Sequence, residues 1–135
     1  MKTTTRRQAR ELALQILFQT EFAPQISYQM LLEIFEQSLD QEVIAYANLL
    51  VQGVLQNKEA IDSKIQTASA HWKVERMATI DRNILRIAVY EMKFAVEAIK
   101  ENIAINEAVE IAKKFGTTDS GSFVNGVLDQ VSKAH

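Results

Sequence analysis

The sequence contains no cysteine. This absence excludes disulfides, thiolate catalysis and cysteine-ligated zinc, and it is compatible with a reducing cytosol. Proline occurs once and glycine four times in 135 residues, which is too few for a β-sandwich or barrel built from tight turns. No window approaches the ~18 uncharged apolar residues of a membrane span, and the N-terminus lacks the apolar core of a signal peptide. We therefore expect a cytoplasmic protein with no membrane contact.

Sequence motifs of enzymes are also missing. There is no phosphate loop of the GxxxxGK type and no GxSxG elbow. His71 and His135 have no carboxylate cluster at metal-ligand spacing, so solvation explains them better than a metal site. Asp119 beside Ser120 does not make a hydrolytic triad and is more simply explained by helix capping. We expect no catalytic residue, no metal and no cofactor.

Residues that favour helices dominate the composition. With 47% hydrophobic residues, the chain is long enough for one sizeable core and fits one domain better than two. Apolar periodicity predicts a first helix from Thr3 to Phe22, ended by Pro24. It also predicts helices over residues 27–39, 41–55, 61–65, 79–92, 103–115 and about 120–131. The class is all-α, and the polar stretch 67–73 is a candidate seam between helical subdomains of about 1–70 and 71–135.

Positive charge is concentrated at the N-terminus. The first ten residues contain no acid and four basic residues, which are Lys2, Arg6, Arg7 and Arg10. The other 11 of the 15 basic residues stand against 17 acidic residues. Because an acidic protein does not bind polyanions indiscriminately, a nucleic-acid contact should be local and centre on this basic end. A solvated helix start or a disordered tail explains the same charges.

Helix geometry places an aromatic ring on the same side of the first helix as Arg7. At 100° per residue, Arg7, Leu14 and Phe18 fall within about 20° of one line, opposite the apolar stripe of the first helix. Arginines bind phosphates and exposed rings stack on unpaired bases, so this face suits single-stranded RNA. The alternative is a second helix that packs on the face and buries Leu14 and Phe18.

Two residues in the later helices are of a type that is unusual at their positions, a charged residue on an apolar face and a glycine inside a helix. Glu91 falls on an apolar face, where a buried carboxylate requires an ion pair or a hydrogen-bonded network. Gly126 lies within a predicted helix at a cost of about 1 kcal/mol relative to alanine. It indicates a close helix crossing or the approach of a partner.

Three segments resemble the NusB family of transcription antitermination factors. They are RRQARELALQILFQ at the start, IDRNILRIAVYEM at 80–92 and INEAVEIAKKFGTTDSGSFVNGVLDQV at 105–131. The resemblance implies two perpendicular three-helix bundles with an additional helix in one compact RNA-binding domain. It also implies a heterodimer with NusE, the small-subunit ribosomal protein ten, that binds single-stranded boxA RNA. Such a complex keeps transcription processive on ribosomal RNA operons and joins the elongation complex through other Nus factors.

The resemblance assigns RNA-binding residues to both ends of the chain. At the start these are Arg6, Arg7 and Arg10, together with Phe18, where the family commonly has tyrosine. The charge pattern adds Lys2 to this group. Near the end they are Asp119, Ser120, Phe123 and Asn125. Gly121 and Ser122 depart from the family, because relatives often carry a basic residue there. A third group, Glu75, Arg76 and Asp81, resembles the surface that faces NusE.

Two other functions remain compatible with the sequence. A NusB-like domain also serves as the RNA-recognition module of RNA cytosine methyltransferases, in which case catalysis requires a separate subunit. The second alternative is a helical protein-binding scaffold that forms a homodimer and hides the arginine face until a partner arrives.

Overall fold

Every regular element in the part of the chain that the structure describes, residues 3–134, is helical. The structure is a computed structural model, and its α-helices are α1 (Thr3–Phe22), α2 (Tyr28–Glu36), α3 (Gln41–Gln56), α4 (Lys58–Ala68), α5 (Thr79–Val89), α6 (Glu101–Phe115) and α7 (Ser120–Lys133). A 3₁₀ turn (Val74–Arg76) precedes α5, and a π-helical segment (Tyr90–Phe94) follows it. The predicted all-α class is confirmed. None of the described helices is both long and apolar enough to span a bilayer.

Local chemistry accounts for the first helix boundaries. α1 ends at Phe22, two residues before Pro24, whose ring cannot continue a helix. Ser27 caps α2, because its hydroxyl oxygen accepts a hydrogen bond from the Met30 N–H at 3.2 Å. The predicted bounds of α1 are confirmed. α2 ends at Glu36, earlier than the predicted span of 27–39.

By compactness the chain divides into an N-terminal unit that ends at Gln52 and a C-terminal unit that begins at Gly53. In the N-terminal unit, α1 packs against α2. The buried apolar side chains of this unit are Ala9, Leu12, Ala13, Leu14, Ile16, Leu17, Leu32, Val43, Ala47, Leu50 and Val51. They come from all three helices, as expected for a small helical core.

In the C-terminal unit, α5 packs against α4, α6 and α7, and α6 packs against α7. Every residue from 83 to 92 is buried, which is typical of a helix surrounded by others. The turn after α5 widens, since the Ala95 N–H donates to the Tyr90 carbonyl at 2.9 Å, five residues back. The predicted helix over 79–92 is therefore α-helical only to Val89. Glu91 is buried in the π-helical segment, as its apolar position predicts.

The polar stretch 67–73 suggested a seam near residue 70. The two compact units divide earlier, between Gln52 and Gly53. Side chains join this stretch to α4: the Gln66 amide donates to the Trp72 carbonyl at 3.0 Å and accepts from the Val74 N–H at 3.0 Å. The Ser69 hydroxyl also donates to the Trp72 carbonyl, at 3.2 Å. Because α4 packs against α5 and α7, it belongs to the C-terminal unit.

Candidate nucleic-acid interface

The arginines near the start of α1 differ in exposure. Arg6 and Arg7 are half-buried, whereas Arg10 and Leu14 are each only 3% exposed. Burial of Leu14 agrees with the alternative of a covered face, and Arg10, which the resemblance assigned to RNA, is not displayed on the surface. Leu12 and Leu14 point about 200° apart around the helix and both are buried, so α1 is covered on more than one face. Lys2 lies outside the described residues.

Arg6 is held against an aromatic ring of α3. Its guanidinium carbon lies 5.1 Å from the centroid of the Tyr46 ring, within the range of a cation–π contact. The Arg6 Nε is buried, and no hydrogen-bond partner for it is found among residues 3–134. The Tyr46 ring positions the guanidinium group of Arg6. Because the ring carries no net charge, this contact does not neutralise the positive charge of Arg6, as a carboxylate would. Sequence spacing gives no signal for Tyr46, because α3 and α1 come together only in the folded unit.

Phe18 forms an aromatic pair near the end of α1. Its ring centroid lies 4.7 Å from that of Phe22, and the two planes are inclined by 44°. Phe18 is half-buried, whereas Phe22 is 68% exposed. The alternative in which this face of α1 is covered therefore holds only in part for Phe18, which is partly exposed. Phe22 was missed as a site residue, although its i,i+4 spacing from Phe18 was the available signal. Along the helix, Phe18 lies about 17 Å from Arg7.

The loop before α7 is fixed by a buried hydroxyl. The Ser120 Oγ accepts a hydrogen bond from the Thr117 N–H at 2.9 Å, and Ser120 is buried. Asp119 occupies the N-cap position of α7, but its side chain makes no capping hydrogen bond with the described residues. The predicted capping role of Asp119 is therefore wrong, and its carboxylate is exposed. Ser120 shapes the loop and does not present its hydroxyl on the surface.

The start of α7 presents a mixed surface. Phe123 is half-buried, while Ser122, Asn125 and Gly126 are exposed. A Cβ on Gly126 would meet nothing within 4 Å, so the predicted close helix crossing is wrong within the described residues. The approach of a partner stays a prediction. A Cβ on Gly121 would lie 3.3 Å from the Lys113 Cγ.

The Lys113 side chain therefore lies over Gly121. Gly121 is one of the two positions at which the family resemblance led us to expect a basic residue. The Lys113 ammonium is exposed and lies 3.7 Å from the Glu110 carboxylate, a weak surface pair. A positive charge from α6 thus reaches the beginning of α7 even though Gly121 and Ser122 are uncharged. The sequence spacing gave no signal for this, because the contact joins two helices.

The residues assigned to the partner surface lie at the 3₁₀ turn and the start of α5. Glu75 and Arg76 are exposed on the turn, and Asp81 is half-buried. One Asp81 oxygen, Oδ1, is buried without a hydrogen-bond donor among the described residues. Arg82 fastens the turn, since its Nη1 donates to the Val74, Glu75 and Met77 carbonyls at 3.4, 3.3 and 3.1 Å. The turn therefore presents its charged side chains from a fixed backbone.

The described residues 3–134 contain no group of three or more side chains placed to hold a metal ion. His71 is exposed, and His135 lies outside the described residues. The features that the structure does show are two half-buried arginines, paired rings and a fixed charged turn. The arginines and the paired rings belong to the N-terminal unit, and the charged turn belongs to the C-terminal unit.

The comparisons with known proteins agree with one another. The model of the NusB family matches residues 7–133. The chain is 83% identical over 135 residues to "Transcription antitermination protein NusB" of Bdellovibrio bacteriovorus, covering 100% of both chains. Among solved structures, it resembles T. maritima NusB with a TM-score of 0.87 and 39% identity, covering 100% of this chain and 94% of that one. It also resembles a crystal structure of antitermination factors NusB and NusE in complex with dsRNA, with a TM-score of 0.85, 26% identity and coverage of 99% and 100%. The chain belongs to the NusB family.

Proposed function

We propose that this chain is a transcription antitermination factor that binds boxA-type single-stranded RNA together with NusE. In this proposal the complex supports processive transcription of ribosomal RNA operons in the cytoplasm and reaches the elongation complex through other Nus factors. The protein acts as an adaptor and makes or breaks no covalent bond. Support comes from a relative at 83% identity that is named an antitermination protein and from a solved relative in complex with NusE and RNA.

The arrangement of α1 is the observation that carries the RNA-binding proposal. Arg6 and Arg7 supply positive charge at one end of the helix, and the rings of Phe18 and Phe22 lie at the other. Guanidinium groups bind phosphates through charge-assisted hydrogen bonds, and rings stack on unpaired bases. A helix with both groups suits a single strand better than a duplex, whose bases are already stacked. Arg10 is buried, and we assign it the role of holding this turn of α1.

The overall charge explains why a partner would be needed. The formal net charge of −2 gives little general attraction for RNA, so two arginines and a few rings supply only part of the affinity. The turn of Glu75 and Arg76, fixed by Arg82, offers a charged and preorganised surface for a protein. Preorganisation raises affinity because little ordering is left to occur on binding. We assign this turn and Asp81 to the NusE contact.

The proposed function is tested by the fluorescence anisotropy of a labelled boxA-like RNA. We expect weak binding by this chain alone and tighter, sequence-selective binding when purified NusE is added. A scrambled RNA of the same composition serves as the control for sequence, and a duplex of the boxA-like sequence serves as the control for strandedness. The duplex is needed because the solved relative is in complex with dsRNA.

Each outcome of this titration has a defined meaning. Selective binding that NusE strengthens supports the adaptor function. Equal affinity for the boxA-like and scrambled RNAs contradicts sequence recognition, and tighter binding of the duplex contradicts the single-stranded target. No binding in the presence of NusE contradicts the RNA-binding function altogether and favours the homodimeric scaffold, which light scattering would reveal.

Replacing Arg7 with alanine should reduce the salt dependence of RNA binding. Each phosphate that a cation neutralises on a single strand contributes about −0.7 to the slope of log K against log salt concentration. Loss of Arg7 should therefore make the slope less negative by about 0.7 and weaken binding at low salt. The measurement is a series of anisotropy titrations over several salt concentrations.

Arg76→Ala is the matched control for this variant. Arg76 is an exposed arginine of the C-terminal unit, and we assign it to the partner and not to RNA. In the assay without NusE its salt slope should equal that of the unmodified protein, whereas the enhancement by NusE should fall. If Arg7→Ala leaves the slope unchanged, Arg7 does not contact a phosphate.

The methyltransferase-module alternative receives less support. The relative at 83% identity is an antitermination protein whose whole length this chain matches. Two solved structures that the chain resembles are likewise of NusB, one of them with NusE. Incubation of the purified chain with labelled S-adenosylmethionine and ribosomal RNA tests the alternative directly, because incorporation of label would contradict the adaptor function.

A further inference from the structure

Trp72, the one tryptophan of the sequence, is exposed on a rigid loop between α4 and the 3₁₀ turn. Its side chain is 60% exposed. Hydrogen bonds fix both backbone polar groups of Trp72. Its N–H donates to the Ser69 carbonyl at 2.9 Å, and its carbonyl accepts from the Gln66 side-chain amide at 3.0 Å and from the Ser69 hydroxyl at 3.2 Å. A large ring in solvent on an immobilised backbone is suited to binding, because little conformational entropy is left to lose.

The indole touches one aromatic neighbour. Its ring centroid lies 6.4 Å from that of Phe123, and the planes are inclined by 84°. In this edge-to-face arrangement the two rings do not stack, so at least one face of the indole is left uncovered by Phe123. Phe123 therefore orients the indole while leaving a flat surface available to a ligand.

The surface beside this pair has room for a ligand. Phe123 and Gly126 lie on one face of α7, since they are three residues apart, and the N-cap residue Asp119 lies one turn before Phe123. Gly126 is exposed, and a Cβ there would meet nothing within 4 Å. No packing within the described residues thus explains why glycine occupies an interior helical position, where alanine is preferred. Space for an approaching ligand next to Phe123 does explain it.

The character of the surface favours a nucleobase over a protein. The residues that flank the ring, His71 and Lys73, are polar and exposed, and Asn125 is exposed on α7. A protein interface needs a broad buried centre of apolar side chains, whereas a single base needs one open ring face and nearby polar groups. An exposed indole with a single aromatic neighbour, Phe123, and polar residues around it matches the second requirement.

We propose that Trp72 stacks on an unpaired base of the bound RNA, with Phe123 orienting the indole edge to face. The inference rests on the proposed RNA-binding function. It extends that function to a residue that lies outside both the arginines of α1 and the segment 119–125, which the family resemblance assigned to RNA. It identifies Trp72 as a contributor to affinity that acts through a ring face and not through charge.

The single tryptophan allows the contact to be observed directly. The full chain is titrated with boxA-like RNA, without and with a tryptophan-free NusE, while indole fluorescence and RNA anisotropy are recorded together. Stacking should quench the fluorescence over the same RNA concentrations that raise the anisotropy. Trp72→Ala should weaken RNA binding roughly 5- to 150-fold, the range that one base stack contributes, and leave the salt slope unchanged.

Two variants serve as controls. Trp72→Phe retains a ring and should recover most of the affinity that Trp72→Ala loses. Ile103→Ala removes another exposed apolar side chain of the C-terminal unit and should bind RNA like the unmodified protein. A thermal unfolding scan of each variant establishes that the fold is retained.

The outcomes separate this inference from the proposed function. RNA binding without quenching, or an unchanged affinity of Trp72→Ala, overturns the stacking role and leaves the RNA-binding function intact. A shift of the indole emission on addition of NusE alone, with no further change on addition of RNA, assigns the ring to the protein partner and also overturns the inference. Absence of RNA binding by the unmodified protein with NusE overturns both.

Discussion

Replacing Asp62 with alanine should lower the free energy of unfolding by about 3–5 kcal/mol, the usual loss when one member of a buried ion pair is removed. Asp62 accepts two hydrogen bonds from Arg86, from Nε to Oδ1 at 2.8 Å and from Nη2 to Oδ2 at 2.9 Å. The side chain of Arg86 is 7% exposed and that of Asp62 is 25% exposed. Without the carboxylate, the guanidinium keeps its charge in a buried position, and its Nη1 still donates to the Asn83 amide oxygen at 3.2 Å. Urea denaturation followed by circular dichroism measures the loss.

The exposed ion pair at the end of α7 provides the control. Asp129 lies 3.0 Å from the Lys133 ammonium, and their side chains are 51% and 68% exposed. Asp129→Ala should change the unfolding free energy by about 1 kcal/mol or less, because solvent screens such a pair. If Asp62→Ala has an equally small effect, the Arg86 guanidinium is solvated after the substitution and the buried-pair argument is wrong.

The same ion pair has a consequence for the proposed partner surface. Arg86 lies one helical turn after Arg82 on α5, and Arg82 donates to the backbone of the 3₁₀ turn. The ion pair of Asp62 with Arg86 connects α4 to α5. The hydrogen bond from the Val74 N–H to the Gln66 side chain connects α4 to the beginning of this turn. The charged residues Glu75 and Arg76 are therefore held from both ends. This double attachment explains how a turn of three residues can present a fixed surface.

The sequence was sufficient for features that depend on a single helix. The apolar periodicity of α1 and the position of Pro24 predicted its two ends, and the all-α class followed from composition. The π-helical turn after Val89 was not predicted, because the apolar run continues through Met92 whichever hydrogen-bond pattern the backbone adopts. Helix periodicity identifies which residues are apolar, but it does not fix the number of residues per turn.

The predicted site was less complete, since its exposure depends on packing between helices. The family motif assigned Arg10 to RNA, and helix geometry alone left Leu14 either open or covered, whereas in the structure both are buried. Ser120 matches the family motif but directs its hydroxyl to Thr117. Conversely, the contact of Tyr46 with Arg6 joins residues 40 positions apart, a distance at which a single sequence gives no pairing signal.

Gly53 is an interior residue of α3 that has no left-handed backbone to explain it, since no glycine in the described chain has a positive φ. Space explains it instead. A Cβ at Gly53 would lie 2.8 Å from the Tyr90 Cδ1 and closer still to Cε1 and Cζ of the same ring. Tyr90 is buried in the C-terminal unit, so the ring cannot move aside without disturbing its neighbours.

We therefore expect Gly53→Ala to lower the free energy of unfolding by about 3 kcal/mol, at the upper end of the range for overpacking, despite the better helix propensity of alanine. Gly126→Ala is the matched control, because the added methyl group meets nothing within 4 Å, and it should raise stability by up to about 1 kcal/mol. Tyr90→Leu in the Gly53→Ala background should recover part of the loss, and a double-mutant cycle measures the coupling. Equal effects of the two glycine substitutions, or a coupling of zero, would show that the ring accommodates the methyl group and that space is not the reason for glycine at position 53.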